Sequence, residues 1–476
     1  MDAGKIKKLQ ALLSVLPDQV ARKLAVAVEY DRLDGGALPH DVILEGLRPA
    51  LQRTGLKRQG VPTLQRAFFE PIEDLLTATG EGKKEQACLA RRSLTPIWRW
   101  LEMGLVADGI ASATKAYAEA VHKADPAGRD QALGLLWTDA SRAMTAALAA
   151  AAPRTPDYDK IVNKLGGAHA LEDAREMALL LQAAPQFRAL QAGVPRGTKK
   201  LSAEELAFIR QSYDTLMVQL PDQAVYVPVV VLRRLSKPAN VMEALKILAR
   251  TESDAKIAET TLALAGDLLI SDFEAKAKFL TTTQLGEANT NEVLAQLEQF
   301  TEMSAGLTQS LDIRREGRWG KRLVETRAKL SETMERRIEK IPDEIIGAFP
   351  ITSAGSYAAR GGPRPNFGRW PDDAKIGRAG NLALFLGGSR WLAGKALFGV
   401  SHKAAVERIS KFLVAYGDDL VGELKAGDPD AVGRCQAHLQ ALLRVTELVM
   451  GEQEADILRR RAAMAQQPGN GGIVAA

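Results

Sequence analysis

The chain has 476 residues, 46% of them apolar and 25% charged, with a formal net charge of +5. That composition excludes a disordered or fibrous protein, and so small a positive excess does not by itself demand nucleic acid. Two cysteines, Cys88 and Cys435, exclude a disulfide framework and fit a reducing compartment.

The opening stretch, MDAGKIKKLQALLSVLPDQ, holds a short apolar segment with no small-residue cleavage site, so no secretory signal is expected. No apolar run reaches the roughly 18 residues of a spanning helix. The expected location is cytoplasmic.

Apolar side chains recur at helical spacing along most of the chain. Helices are expected over 4–15, 18–33, 40–54, 63–77, 84–104, 108–124, 128–151, 157–165 and 169–192. The Gly/Pro/basic segment 192–202 reads as a linker, and Ser202 with Glu205 matches a capping box. Further helices are expected over 203–219, 239–250, 254–281, 290–312, 319–347, 380–399, 404–425 and 430–464. The one strand-like stretch, AVYVPVVVL (224–232), has Pro228 inside it and no visible partner strand; it reads as a Pro-kinked buried helix. Near the C-terminus, Ile409, Leu413, Tyr416, Leu420 and Leu424 form one stripe and Cys435, Leu439, Leu442, Thr446 and Val449 another, so the two helices should pair as a hairpin.

The fold class is therefore all-α: stacked helical hairpins or bundles, with a helical-repeat architecture as an option and no significant β-sheet. The expected organisation is an N-terminal helical domain (1–193), a middle helical domain (203–350) and a Gly/Pro/Arg-rich loop (351–379). A C-terminal helical hairpin region (380–465) and a disordered tail (466–476) follow.

The tetrapeptide LPDQ stands at 16–19 and again at 220–223. PHDVILEGLRPALQRT (39–54) and PANVMEALKILART (238–251) follow the two copies, which hints at a duplicated three-helix unit. The competing explanation is local. Pro-Asp occurs six times, at 17–18, 156–157, 221–222, 342–343, 371–372 and 429–430. Pro loses no hydrogen bond in a first helical turn, and Asp there faces the positive end of the helix dipole, so the pair marks helix starts.

Few residues carry a recognisable chemistry. GGSRWLAGKALFG (387–399) has the wrong spacing for a phosphate loop and lacks its hydroxyl. Glu119 with His122 gives one carboxylate–imidazole pair where a di-iron bundle needs two. His169, Glu172, Asp173 and Glu176 share a helical face, which reads as a solvated face. Cys435 and His438 are one turn apart, with Cys435 on an apolar stripe. No metal, no cofactor and no catalytic residue is assigned, and no Gly-x-Ser-x-Gly nucleophile elbow is present.

The basic region 314–380 is the strongest binding signal. Arg360, Arg364 and Arg369 interleave with Tyr357, Phe367 and Trp370 in a long Gly/Pro-rich loop, a pattern suited to an acidic protein groove or to phosphates and stacked bases. The same aromatics could instead anchor the loop to a core. The stretch 380–400 is apolar nearly all round and reads as a buried, closely packed helix rather than one lying on a membrane. The favoured function is a cytoplasmic adaptor or scaffold that binds another protein. Nucleic-acid binding through 314–380 is the second reading, and an enzyme with an unrecognised helical-bundle site the third.

Overall fold

Helices dominate, as the 3.6-residue periodicity requires. A computed structural model describes residues 9–10, 12–14, 16–33, 38–53, 62–78, 84–151, 155–310, 317–352, 364–426 and 431–466. The chain gathers into two compact units, Met1–Leu269 with Gly306–Asp312, and Ile270–Ala305 with Ile313–Ala476.

The first unit opens with α1 (Asp18–Leu33), α2 (His40–Arg53), α3 (Leu64–Phe69), α4 (Leu94–Trp100) and α5 (Ala107–His122). It continues with α6 (Pro126–Ala150), α7 (Pro156–Leu165), α8 (Ala168–Gln182), α9 (Ala184–Gly193) and α10 (Ala203–Gln219). Four short helices follow: α11 (Pro221–Ala224), α12 (Val227–Arg234), α13 (Val241–Ala249) and α14 (Asp254–Ala258). Helices α15 (Ala263–Thr282) and α16 (Thr290–Ser310) each contribute residues to both units. The second unit adds α17 (Arg318–Ile338), α18 (Ile341–Ala348), α19 (Asp373–Ser389), α20 (Gly399–Ala426), α21 (Val432–Met450) and α22 (Glu452–Gln466). Strand structure among the described residues is limited to two-residue pairs: β1 (Leu76–Thr77) parallel to β2 (Leu89–Ala90), and β3 (Ile351–Thr352) antiparallel to β4 (Arg364–Pro365).

In the first unit α6 packs between α5 and α8, and the Trp137 indole N–H donates to the Phe68 carbonyl at 2.9 Å. The 192–202 segment, expected as a linker, is packed within this unit. Buried Asp74 accepts from Gln191, Arg196 and Arg234, while Gly197 N–H donates to the Arg234 carbonyl at 2.8 Å. In the second unit α21 packs against α19, α20 and α22, and Phe273 stacks on Phe300 at 4.4 Å.

Pro-Asp does mark helix starts. Pro17 immediately precedes α1, Pro156 and Pro221 open α7 and α11, and Pro342 stands in the first turn of α18. Asp372 acts differently: its carboxylate caps α19 by accepting from the N–H groups of Ala374 and Lys375 at 3.0 and 3.1 Å. The pair at 429–430 lies outside the described residues. The two LPDQ segments diverge after their shared start. The first is followed by the 16-residue α1, the second by four-residue α11 and eight-residue α12. Pro228 separates that second pair: it sits in the first turn of α12 and starts a helix rather than kinking one.

Several long expected helices are broken. Residues 84–90 are a turn and a strand, not the start of a helix over 84–104. The expected 169–192 helix divides at Ala183, and the expected 430–464 helix divides at Gly451, whose φ of 108° is a conformation that glycine adopts without steric cost. The helix expected over 380–399 begins earlier, at Asp373, and ends at Ser389; a tight turn then leads into α20. The capping box forms in full, with Glu205 N–H to Ser202 Oγ at 3.1 Å and Ser202 N–H to Glu205 Oε2 at 2.7 Å. The tail 467–476 lies outside the described residues.

Candidate functional site

Two polar constellations stand out, one in each unit. In the second, Pro350 to Asp372 leaves α18 and leads into α19. Its two ends are joined by β3–β4, and Asn366 N–H donates to the Pro350 carbonyl at 2.9 Å. His438, buried on α21, fixes the segment from behind. A carbonyl can only accept, so the imidazole Nε2 carries the proton that it shares with the Arg369 carbonyl at 2.8 Å. Nδ1 is then the acceptor for the Tyr416 hydroxyl at 2.7 Å. Arg434 Nε adds a bond to the Phe367 carbonyl at 3.1 Å. Burial pushes the Tyr416 hydroxyl up and the His438 imidazole down, so both hold the neutral forms that this chain of bonds uses.

The residues singled out in sequence separate on this frame. Phe367 is half-buried, edge-on to His438 at 5.3 Å and to Tyr416 at 5.8 Å, and anchors the segment. Arg369 and Trp370 follow it and face solvent, with Trp370 62% exposed. The backbone of Arg364 pairs with Thr352 in β4. Tyr357 and Arg360 lie outside the described residues.

Three arginines of the basic region 314–380 serve partners within the second unit, while Lys321, Lys329, Lys340 and Lys375 are exposed. Arg322 makes a forked pair with Glu274, with both bonds at 2.8 Å. Arg337 donates to the carbonyls of Leu280, Thr281 and Thr283 and so closes the C-terminal end of α15. Arg378 bridges Glu287 and Glu344 at 2.8 and 2.9 Å.

The first unit holds a constellation that the sequence did not reveal. Asp173 and Glu176, expected on a solvated face of α8, are 0% and 8% exposed. They are satisfied from a segment some ninety positions earlier. Glu176 accepts from Lys84 Nζ at 2.5 Å, Ala87 N–H at 2.6 Å and the Tyr226 hydroxyl at 2.8 Å. Asp173 accepts from Ser93 Oγ at 2.6 Å and Ala90 N–H at 3.1 Å. Lys84 Nζ also lies 3.0 Å from Asp173 Oδ1, a charge contact rather than an aligned hydrogen bond. Ala87 holds a φ of 61°, a left-handed conformation that its bond to Glu176 helps to maintain. Burial, and then the charge of Glu176, push the Tyr226 hydroxyl up, keeping it a donor.

The Lys84 ammonium occupies the position between the carboxylates where a cation ligand would sit, and each Glu176 oxygen already accepts from a protein donor. The arrangement is a lock between the β1–β2 region and α8, and the His169 imidazole Nδ1 stands 3.3 Å from Asp173 Oδ2 at its edge. Among the described residues no group of three or more His, Cys, Asp or Glu is placed to hold a metal ion. Glu119 and His122 are exposed, while Cys435 is in the core. No helix among the described residues is long and apolar enough to cross a membrane.

No protein-family model matches the chain, and no curated protein or solved structure matches it.

Proposed function

We propose that the chain is a cytoplasmic helical interaction protein, an adaptor or scaffold that docks a protein partner through Arg369 and Trp370. The observation that carries this reading is the contrast across one short segment. Its backbone is held from behind by His438, Arg434 and Phe367, while the Trp370 side chain is left 62% exposed. A tryptophan and an arginine on a pre-ordered backbone suit an interface anchor, because little ordering entropy remains to be lost on binding. An acidic groove on the partner would complement Arg369.

Nucleic-acid binding draws less support, since Arg322, Arg337 and Arg378 already serve internal partners. The test is capture from native lysate by the full chain, with and without Arg369→Ala and Trp370→Ala together. The expected result is a set of proteins retained by the wild type and lost by the variant, whose thermal midpoint stays within a degree or two. Equal capture by both proteins overturns the assignment. Nuclease-sensitive capture would favour nucleic acid instead.

A further inference from the structure

The turn between α19 and α20 has features that neither folding nor the reading above uses. It runs RWLAGKALFGV over 390–400. Its inward residues, Leu392, Ala393, Ala396 and Phe398, are buried and hold it in place. Further bonds fix it to the second unit: Arg390 to the Val449 carbonyl at 2.6 Å, and Ser331 Oγ to the Leu397 carbonyl at 2.9 Å. Phe398 N–H closes the turn onto the Ala393 carbonyl at 3.0 Å.

The outward residues are apolar. Trp391 is 56% exposed, Leu397 51% and Val400 87%. Leu397 also has a φ of 67°, at the left-handed position where a turn of this kind ordinarily takes glycine. Leucine at that place costs backbone strain and leaves an apolar side chain in water, two penalties that glycine would remove. A strained, exposed, apolar residue on a well-anchored turn points to a function for that side chain.

Charge identifies the partner class. Between Asp373 and Glu407 the sequence has no acidic residue and five basic ones: Lys375, Arg378, Arg390, Lys395 and Lys403. Arg378 is paired internally, Lys395 is exposed on the turn, and Lys403 is exposed just beyond it, where it forms a solvent-facing i,i+4 ion pair with Glu407 at 3.9 Å. Lys395 lies over the Trp391 ring at 4.6 Å. Two acidic side chains border the turn: Glu407 beside Lys403, and Glu335, which accepts from Ser331 behind the Leu397 carbonyl. Tryptophan, aliphatic tips and lysines on one turn match the layered chemistry of a bilayer surface, with apolar tips below the headgroups and ammonium groups at the phosphates.

We propose that this turn is a peripheral docking site for an anionic lipid surface, with Trp391, Leu397 and Val400 entering the interface and Lys395 and Lys403 contacting lipid phosphates. The helix α19 itself stays buried in its unit; only the turn and the first residues of α20, Val400 and Lys403, engage the membrane.

The test is flotation of the full chain with vesicles of phosphatidylcholine alone, or of phosphatidylcholine with phosphatidylserine. The wild type should float with the phosphatidylserine vesicles, bind phosphatidylcholine at least tenfold more weakly, and release as salt rises. Leu397→Gly combined with Val400→Ser should lower binding at least tenfold, and Lys395→Glu should lower it by about fivefold or more. Leu397→Gly alone should raise the thermal midpoint, which separates lost docking from unfolding. Wild-type protein that does not float with phosphatidylserine vesicles at low salt overturns the proposal, as does unchanged flotation of the double variant. Failure to float together with capture of a protein that depends on Leu397 and Val400 overturns the lipid assignment in favour of a protein one.

Discussion

Lys84 places its ammonium 2.5 Å from the Glu176 carboxylate, across 92 positions of sequence, and the same ammonium lies 3.0 Å from Asp173. Two buried carboxylates on adjacent turns of one helix would repel each other strongly without it. Replacing Lys84 by Met keeps the aliphatic stem and removes the charge. The expected cost is about 3–5 kcal/mol, because both carboxylates are left uncompensated. Urea unfolding measures it, and the cycle with Glu176→Gln should show coupling of at least about 1 kcal/mol. Strictly additive losses would mean that the Lys84–Glu176 pair is not what Lys84 contributes.

Two buried histidines give the second unit a pH dependence. Burial lowers the affinity of both His402 and His438 for a second proton, against the opposing effect of their bonds to the carbonyls of Leu386 and Arg369. Arg390 lowers His402 further. The unfolded chain therefore binds protons first, near the ordinary histidine value of about 6.5. Stability is complete above that pH and declines as pH falls through it toward the lower folded values. Denaturation midpoints at pH 7.5 and 5.5 should differ, with the lower pH less stable. His438→Gln offers one donor and one acceptor without titrating, so its drop should be smaller. An identical drop in the variant would remove His438 from the explanation.

What could be read from the sequence was whatever a single helix decides for itself. The stripe Ile409, Leu413, Tyr416, Leu420 and Leu424 is buried on α20 as its spacing requires. The capping box at Ser202 and the Pro-Asp starts depend on neighbours within a few residues. On α21 the register is less simple, since His438 is fully buried while its neighbour Leu439 is only half-buried. A buried histidine there needs the Arg369 carbonyl and the Tyr416 hydroxyl, neither of which is near it in sequence. Asp173 and Glu176 were misplaced for the same reason. Carboxylates are ordinarily exposed, and only the remote Lys84, Ala87 and Ala90 reverse that expectation. Distant pairing of this kind leaves no periodicity to detect.

Arg337 illustrates a basic residue whose work is internal. Its guanidinium reaches three carbonyls at the end of α15, and burial lowers its affinity for its proton. Arg337→Met preserves much of the stem and strands those carbonyls. A loss of about 1.5–3 kcal/mol is expected. Exchange of amide hydrogens should rise selectively in the last turn of α15. Uniform exchange across the second unit would instead indicate a global effect.

Two glycines on α19 should behave oppositely. A Cβ at Gly387 would stand 2.2 Å from the Leu448 carbonyl oxygen, which belongs to the α21 backbone and cannot turn aside. A Cβ at Gly377 would meet nothing within 4 Å. Gly387→Ala must move one helix away from the other, at a cost of about 3 kcal/mol or more, the upper end for an overfilled contact. Gly377→Ala gains helix propensity and should stabilise by up to about 1 kcal/mol. Calorimetric midpoints of the two variants therefore fall on opposite sides of the wild type. If Gly387→Ala melted with the wild type, α19 and α21 would not approach as closely as the 2.2 Å contact requires.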